Sequence, residues 1–256
     1  MTEFEDEARV RVMGAEKNNE LQRTAQEFLT TSIAAKYSYN WFWMGRPIIQ
    51  YPQDMIAMQE LIWEVKPDLI IETGIAHGGS LILSASMLAL LDMAEAEQRG
   101  ELIDPRKSRR HVLGVDIDIR EHNRSAIAAH PMSSRITMIQ GSSIAEDVVK
   151  QVHEFSEGYS RVLVCLDSNH THDHVLAELE AYAELTSVGS YCVVFDTVVE
   201  DLPKSMFSDR PWGPGDNPKT AVHEYLGSHP EFEIDKTIQN KLLLTVAPDG
   251  YLRRRA

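Results

Sequence analysis

Residues 72–80 read ETGIAHGGS and follow the apolar run 69–71, so an acid, three glycines and a small hydroxyl sit between a strand and a helix. Gly74, Gly78 and Gly79 lack Cβ atoms and let a ligand approach the backbone closely, while free N–H groups at the helix start offer donors. That is the make-up of a nucleotide-type cofactor site. A dinucleotide turn usually reads GxGxxG, and the different spacing here argues against NAD. The competing reading is a tight strand-to-helix turn whose glycines serve packing.

Three more acids, Asp116, Asp167 and Asp196, each end an apolar run. Ligands of an open parallel sheet bind beyond the carboxyl ends of its strands, so these acids and Glu72 are expected on one rim. So much negative charge is unfavourable unless hydroxyls, a cationic cofactor or a metal answer it. Asp116 is placed to accept hydrogen bonds from ribose hydroxyls; Asp118 is the rival candidate and also a candidate helix N-cap. Asp167 and Asp196 end consecutive predicted strands and could share a divalent cation, the alternative being that each caps the turn after it. His170, three residues past Asp167, suits a general base near neutral pH or a metal ligand. His172 and His174 read as surface or packing residues.

The elements that must position these groups follow from pattern. Apolar spacings of three and four at Leu21, Ala25, Phe28, Leu29 and Ile33 predict an amphipathic helix over 7–36. The aromatic segment 37–54, bounded by Pro47 and Pro52, reads as an ordered loop, with Asp54 capping a helix over 55–65. Strands are expected at 69–71, 112–115, 136–139, 162–166 and 191–195, with helices at 80–98, 120–130, 144–155 and 174–185 between them. Continuous apolar runs without polar alternation mark strands covered on both faces, as in a doubly wound α/β sheet. Beyond Asp196 comes a Pro- and Gly-rich excursion at 201–219, carrying Phe207 and Trp212, then a helix near 220–227 and a closing strand pair at 232–234 and 242–246. A long loop at such a place is usually functional or disordered, and its aromatics favour function. No repeat or low-complexity segment interrupts the chain.

The 256 residues are expected to form one domain, with 1–45 as an N-terminal helical and aromatic extension. A formal net charge of −14 argues against nonspecific nucleic-acid or anionic-membrane binding, and the basic runs 106–110 and 253–255 are short. Small molecules are the expected partners. Cys165 and Cys192 lie inside apolar strands and read as core thiols rather than a disulfide, which fits a reducing cytoplasm. An acidic N-terminus without an apolar core, and no apolar run near the roughly 20 residues that span a bilayer, fit the same location. The N-terminal helix and exposed aromatics make a homo-oligomer plausible.

The ExGxxxGxS pattern resembles the first motif of metal-dependent O-methyltransferases that use S-adenosylmethionine (SAM). More of the chain is similar to the group named after cephalosporin hydroxylase, which includes rhamnosyl O-methyltransferase-like proteins. The likeness runs from MGRPIIQYPQD (44–54) through PDLIIETGIAHGGS, DSNHTHDHVLAELEAYAELTSVGSY and RPWGPGDNPKTAV to KLLLTVAPDGYLRR. It implies a Rossmann-like, mostly parallel seven-stranded sheet with an antiparallel C-terminal strand. It also implies that Glu72, Gly74, Gly78, Ser80 and Asp116 hold SAM, with Asp167 and Asp196 as ligands of Mg²⁺ or another divalent metal. Methyltransferases contact adenine after the third strand, where Ser142 and Ser143 stand, although Gly-Ser-Ser is also a generic turn. One departure stands out: relatives typically read Glu-Asp where this chain reads Phe195–Asp196. With that acid missing, Thr197 or His170 could complete the metal's coordination sphere.

The resulting expectation is methyl transfer from SAM to a hydroxyl of a sugar or small natural product, with Asp167 and His170 as catalytic residues. Two alternatives stay open. A non-haem iron hydroxylase wants two His and one carboxylate, usually with an HxD or HxE core, and the one such spacing is His229–Glu231. A degenerate SAM-binding subunit serving an active partner would account for the missing acid.

Overall fold

The computed structural model describes residues 2–256. The first 34 residues hold two helices, α1 (Glu3–Glu16) and α2 (Asn19–Ala34), rather than one. Asn18 divides them, because its side chain accepts from Leu21 N at 3.1 Å and so opens a new helix instead of continuing the old one. In these two helices only Leu29 and Ser32 are buried.

The aromatic segment is more regular than a loop. A 3₁₀ turn (Tyr37–Asn40) leads into an antiparallel hairpin of β1 (Trp41–Trp43) and β2 (Arg46–Ile48). Met44 and Gly45 make its two-residue turn with φ of 45° and 86°, the left-handed geometry that suits the twist of paired strands. Helix α3 (Pro52–Val65) begins with proline in its first turn, where the missing N–H is no loss. Asp54 therefore lies inside the helix and does not cap it. Its fully buried carboxylate accepts from Thr245 Oγ1, Val246 N and Tyr251 Oη, tying α3 to the C-terminal segment.

The main body alternates β3 (Leu69–Thr73), α4 (Gly79–Arg99), β4 (His111–Asp116), α5 (Glu121–Ala128), β5 (Ile136–Gln140), α6 (Glu146–Ser156), β6 (Val162–Leu166), α7 (His172–Tyr182) and β7 (Tyr191–Val194). After the excursion come α8 (Pro218–Leu226), β8 (Phe232–Ile234), α9 (Lys236–Leu242) and β9 (Tyr251–Arg254). The seven-stranded sheet has the order β5-β4-β3-β6-β7-β9-β8. All pairings are parallel except those of β9, which is antiparallel to both neighbours.

Every residue of β3, β6 and β7 is buried, as their unalternating apolar sequences require. Ile70, Leu163 and Val193 pack with α3 and α4 on one face, while Leu69, Val164 and Cys192 pack with α6, α7 and α8 on the other. Helix α4 is long and apolar enough to cross a membrane by composition alone, but Leu81–Leu88 and Leu91 are buried in the core. Cys165 and Cys192 are free, and burial pushes both thiols up, away from reactivity.

The closing strand is β9 and not 242–246. That segment turns at Leu243, with φ of 61°, and the N–H of Val246 goes to the Asp54 carboxylate at 3.0 Å. A backbone donor held by a buried acid is lost to a sheet ladder, so pairing resumes only after Gly250.

Candidate active site

The chain runs outward from β3 through β4 to β5, then crosses back to lay β6 on the other side of β3. That reversal opens a crevice beyond the carboxyl ends of β3 and β6. In register, Thr73 pairs with Leu166 and Leu166 with Val194, which brings Gly74, Asp167 and Phe195 to one level of the rim. Gly74 has φ of 90°, and a Cβ there would run into the carbonyl oxygen of Asp167. Gly78, with φ of 82°, leaves room for Ile127.

The glycine turn is held from several sides. Asp116 Oδ2 accepts from Ile75 N at 2.8 Å and Ala76 N at 3.2 Å, and its Oδ1 from Asp118 N at 2.9 Å. Asp118 itself is exposed and caps nothing; α5 starts after Arg120 without a side-chain cap. Glu72 is buried and accepts from Ser80 Oγ. Burial pushes its carboxyl up to about 7, the Ser80 hydroxyl working against that rise. Two residues absent from the sequence reading complete the clamp. Arg46 Nε donates to the His77 carbonyl at 3.0 Å, and Asn123 Nδ2 to that of Ala76 at 2.9 Å. Arg46 also reaches Asn123 Oδ1 at 2.9 Å, so the hairpin, the turn and α5 form one unit. Arg46 lies within the stretch 44–54 that carries the family likeness, but nothing local in the sequence marks its role or that of Asn123.

A cavity of about 230 Å³ lies over this turn, lined by Gly74, Gly79, Ser80, Asp116, Asp167, Ser168, His170 and Asp196 among others. Of the expected cofactor residues, Glu72, Gly78, Ser142 and Ser143 are absent from its lining; Glu72 borders instead the small space beside Phe195. Ser143 is buried, its Oγ 3.0 Å from His174 Nε2, and its carbonyl accepts from Tyr182 Oη. His174 also lies 3.3 Å from Ser168 Oγ, which donates to buried Glu178 at 2.6 Å. His174 thus packs as expected, but it joins the ends of β5 and β6.

Asp167, His170 and Asp196 each offer a donor atom, and these atoms lie within 4.8 Å of one another. His170 Nε2 stands 3.1 Å from Asp196 Oδ2, and its ring meets that of Trp212 at nearly a right angle, with centroids 4.9 Å apart. Burial raises the Asp167 carboxyl well above the usual range, and the charges of Asp196, Glu72, Glu178 and Asp54 add to the rise. A site that penalises its own negative charge, with two carboxylates and an imidazole converging, fits a hard or borderline divalent cation. Asp196 has φ of 55°, a left-handed conformation that turns the chain sharply at the strand end. Phe195, the departure from the expected acid, is buried and lines a small apolar space with Met55, Met58 and Leu83.

A second, larger cavity of about 560 Å³ shares Tyr39, Ile49, Gln50, Asp167, His170 and Asp196 with the first. Beyond them it is lined by Leu202, Met206, Phe207, Arg210 and Trp212 of the excursion. Trp41 and Trp43 do not join this wall: Trp43 Nε1 donates to Ser86 Oγ at 2.9 Å and both rings pack on the core. His229, of the HxE spacing, stacks on Tyr225 with centroids 3.7 Å apart and bonds its carbonyl. It lies outside both cavities, which removes the structural basis for an iron site built on it.

Residues 35–255 match the family model described as rhamnosyl O-methyltransferase/CmcI. The chain belongs to this family. It is therefore an O-methyltransferase that uses SAM. A rhamnosyl O-methyltransferase of Mycobacterium tuberculosis (strain H37Rv) is 29% identical over 246 residues, covering 90% of this chain and 89% of the relative. Its counterpart from Mycobacterium leprae (strain TN) is 28% identical over 241 residues, covering 88% and 92%. The fold is similar to CmcI in an apo form, with a TM-score of 0.56 and 19% identity over 85% of this chain and 77% of that one. It is also similar to CmcI with Mg and SAM, with a TM-score of 0.54 and 20% identity over 85% and 78%.

Proposed function

We propose that this protein transfers the methyl group of SAM to a hydroxyl of a sugar or sugar-bearing small molecule, with a divalent metal, Mg²⁺ in the first instance, beside the acceptor oxygen. The observation that carries the reading is the junction of the two cavities at Asp167, His170 and Asp196. The smaller cavity, over the glycine turn, suits the cofactor, and the larger one suits the acceptor. SAM would supply an electrophilic methyl group, and the metal a positive charge that favours the acceptor alkoxide.

The chain's own residues do the rest. Glu72, Gly74, Gly78, Ser80 and Asp116 shape and hold the cofactor turn, and Asp167 and Asp196 hold the ion. Ser143 supports the floor through His174 rather than by lining the cavity, and Ser142 does not line it either. With the Nε2–H of a neutral His170 held by Asp196, the lone pair is left on Nδ1, which takes the acceptor proton. Tyr39, Phe207 and Trp212 flank the acceptor and exclude water, which strengthens every charge interaction inside. Phe4, Val10, Met13 and Phe28 are exposed apolar side chains on α1 and α2, and they support self-association as part of the same proposal.

The test is incubation with methyl-labelled SAM and a panel of rhamnosides, other glycosides and catechols, with and without EDTA. The reading predicts label on a glycosyl hydroxyl, lost on chelation and restored by Mg²⁺. Transfer that ignores EDTA, or that goes only to non-sugar acceptors, contradicts it.

A further inference from the structure

The segment that joins the hairpin to α3 carries Gln50, which the reaction described above does not use. Gln50 is 8% exposed and lines both large cavities as well as the small space next to Glu72 and Phe195. Its Nε2 donates to Asp167 Oδ2 at 3.3 Å, while its Oε1 is buried with no hydrogen-bond partner. An unmatched buried carbonyl is destabilising, so an apolar residue here would suit folding better. A half-satisfied amide beside a candidate metal ligand is instead what an outer-sphere partner looks like before its ligand arrives.

The segment is placed with little freedom. A Cβ on Gly79, the first residue of α4, would strike the Pro47 carbonyl oxygen and Ile48, so the chain leading to Gln50 lies against the start of that helix. Tyr51, the next residue, is fully buried, its hydroxyl 2.7 Å from Ser32 Oγ. The side chain of Gln50 is thus held from both ends of its backbone.

We propose that Gln50 is a positioning residue for the metal: it donates to one oxygen of Asp167, leaving the remaining lone pairs of that carboxylate for the ion, and accepts from a water that the ion carries in. The inference rests on the metal-assisted reading above. It gives a role to a side chain that touches neither the methyl group nor the proton in flight. It also offsets the acid missing at Phe195, because a site with fewer carboxylate ligands relies more on the orientation of those that remain.

The test is calorimetric titration of Mn²⁺ and Mg²⁺ into the cofactor-free protein and into Gln50→Leu, with SAM titrated separately. Divalent-ion affinity should fall about 10- to 100-fold, the usual effect of removing an outer-sphere partner, with SAM affinity unchanged. Raising the metal concentration should restore most of the variant's kcat, which a general structural defect would not allow. Should the leucine variant not fold, Gln50→Met, close in length and volume, takes its place. Unchanged metal affinity in a folded variant overturns the assignment of Gln50 and leaves the function intact. A wild-type protein that binds neither ion overturns both.

Discussion

Asp167 is the residue on which the chemistry converges, since it borders both cavities and stands among Asp196, His170 and Gln50. Asp167→Ala should lower kcat by several orders of magnitude, because the charge stabilisation of a bound metal amounts to several kcal/mol, while SAM binding measured by calorimetry persists. Full activity in that variant would contradict the assignment of Asp167 to the metal and the chemistry. The acids were legible one by one, since each ends an apolar run and the parallel-sheet rule gathers strand ends on one rim. The roles of Arg46 and Gln50, although both lie in the stretch 44–54 that carries the family likeness, and of Asn123 were not, because a side chain that works by reaching across to another element leaves no periodic trace in its own segment. Ser143 is a small polar residue at the expected strand end, but its hydroxyl lies against His174, a contact that the strand-end rule does not encode.

At the scale of elements, the hairpin and α4 depend on a contact that only glycine permits. Gly79→Ala should loosen the hairpin from the helix and destabilise the fold by about 1–3 kcal/mol, as overpacking against backbone does, and should weaken SAM binding with it. Gly14→Ala is the control, since nothing lies within 4 Å of its Cβ position in α1, and there the gain in helix propensity should stabilise by up to about 1 kcal/mol. Thermal melts of the two variants should move in opposite directions. The pattern places strands β3, β6 and β7 to within two residues, because continuous apolar runs carry their own signal. Leu242–Val246 has a strand's composition, yet its backbone is claimed by Asp54 from 192 residues away, a tertiary contact that composition does not encode, and the closing strand lies further on.

For the whole molecule, buried acids set the response to pH. Glu72 rises from 4.5 to about 7 and Asp54 from 3.8 to about 6, so between the unfolded and folded values the native state binds more protons than the unfolded one. Stability is then greatest at the acidic side of that window and falls as pH rises through it toward 7. Metal-free melting temperatures measured from pH 5 to 8 should decline accordingly. Adding SAM with Mg²⁺ should flatten the slope, because cations favour the ionised acids. Glu72→Gln should flatten it in part without any ligand.

The central claim is that acids from separate strands hold a divalent ion next to the methyl donor. Anomalous diffraction from crystals grown with Mn²⁺ and S-adenosylhomocysteine locates both at once. A manganese peak within bonding distance of Asp167 and Asp196, with the nucleoside over Gly74–Ser80, is the predicted result. Manganese elsewhere on the surface, or the nucleoside away from that turn, would contradict the account.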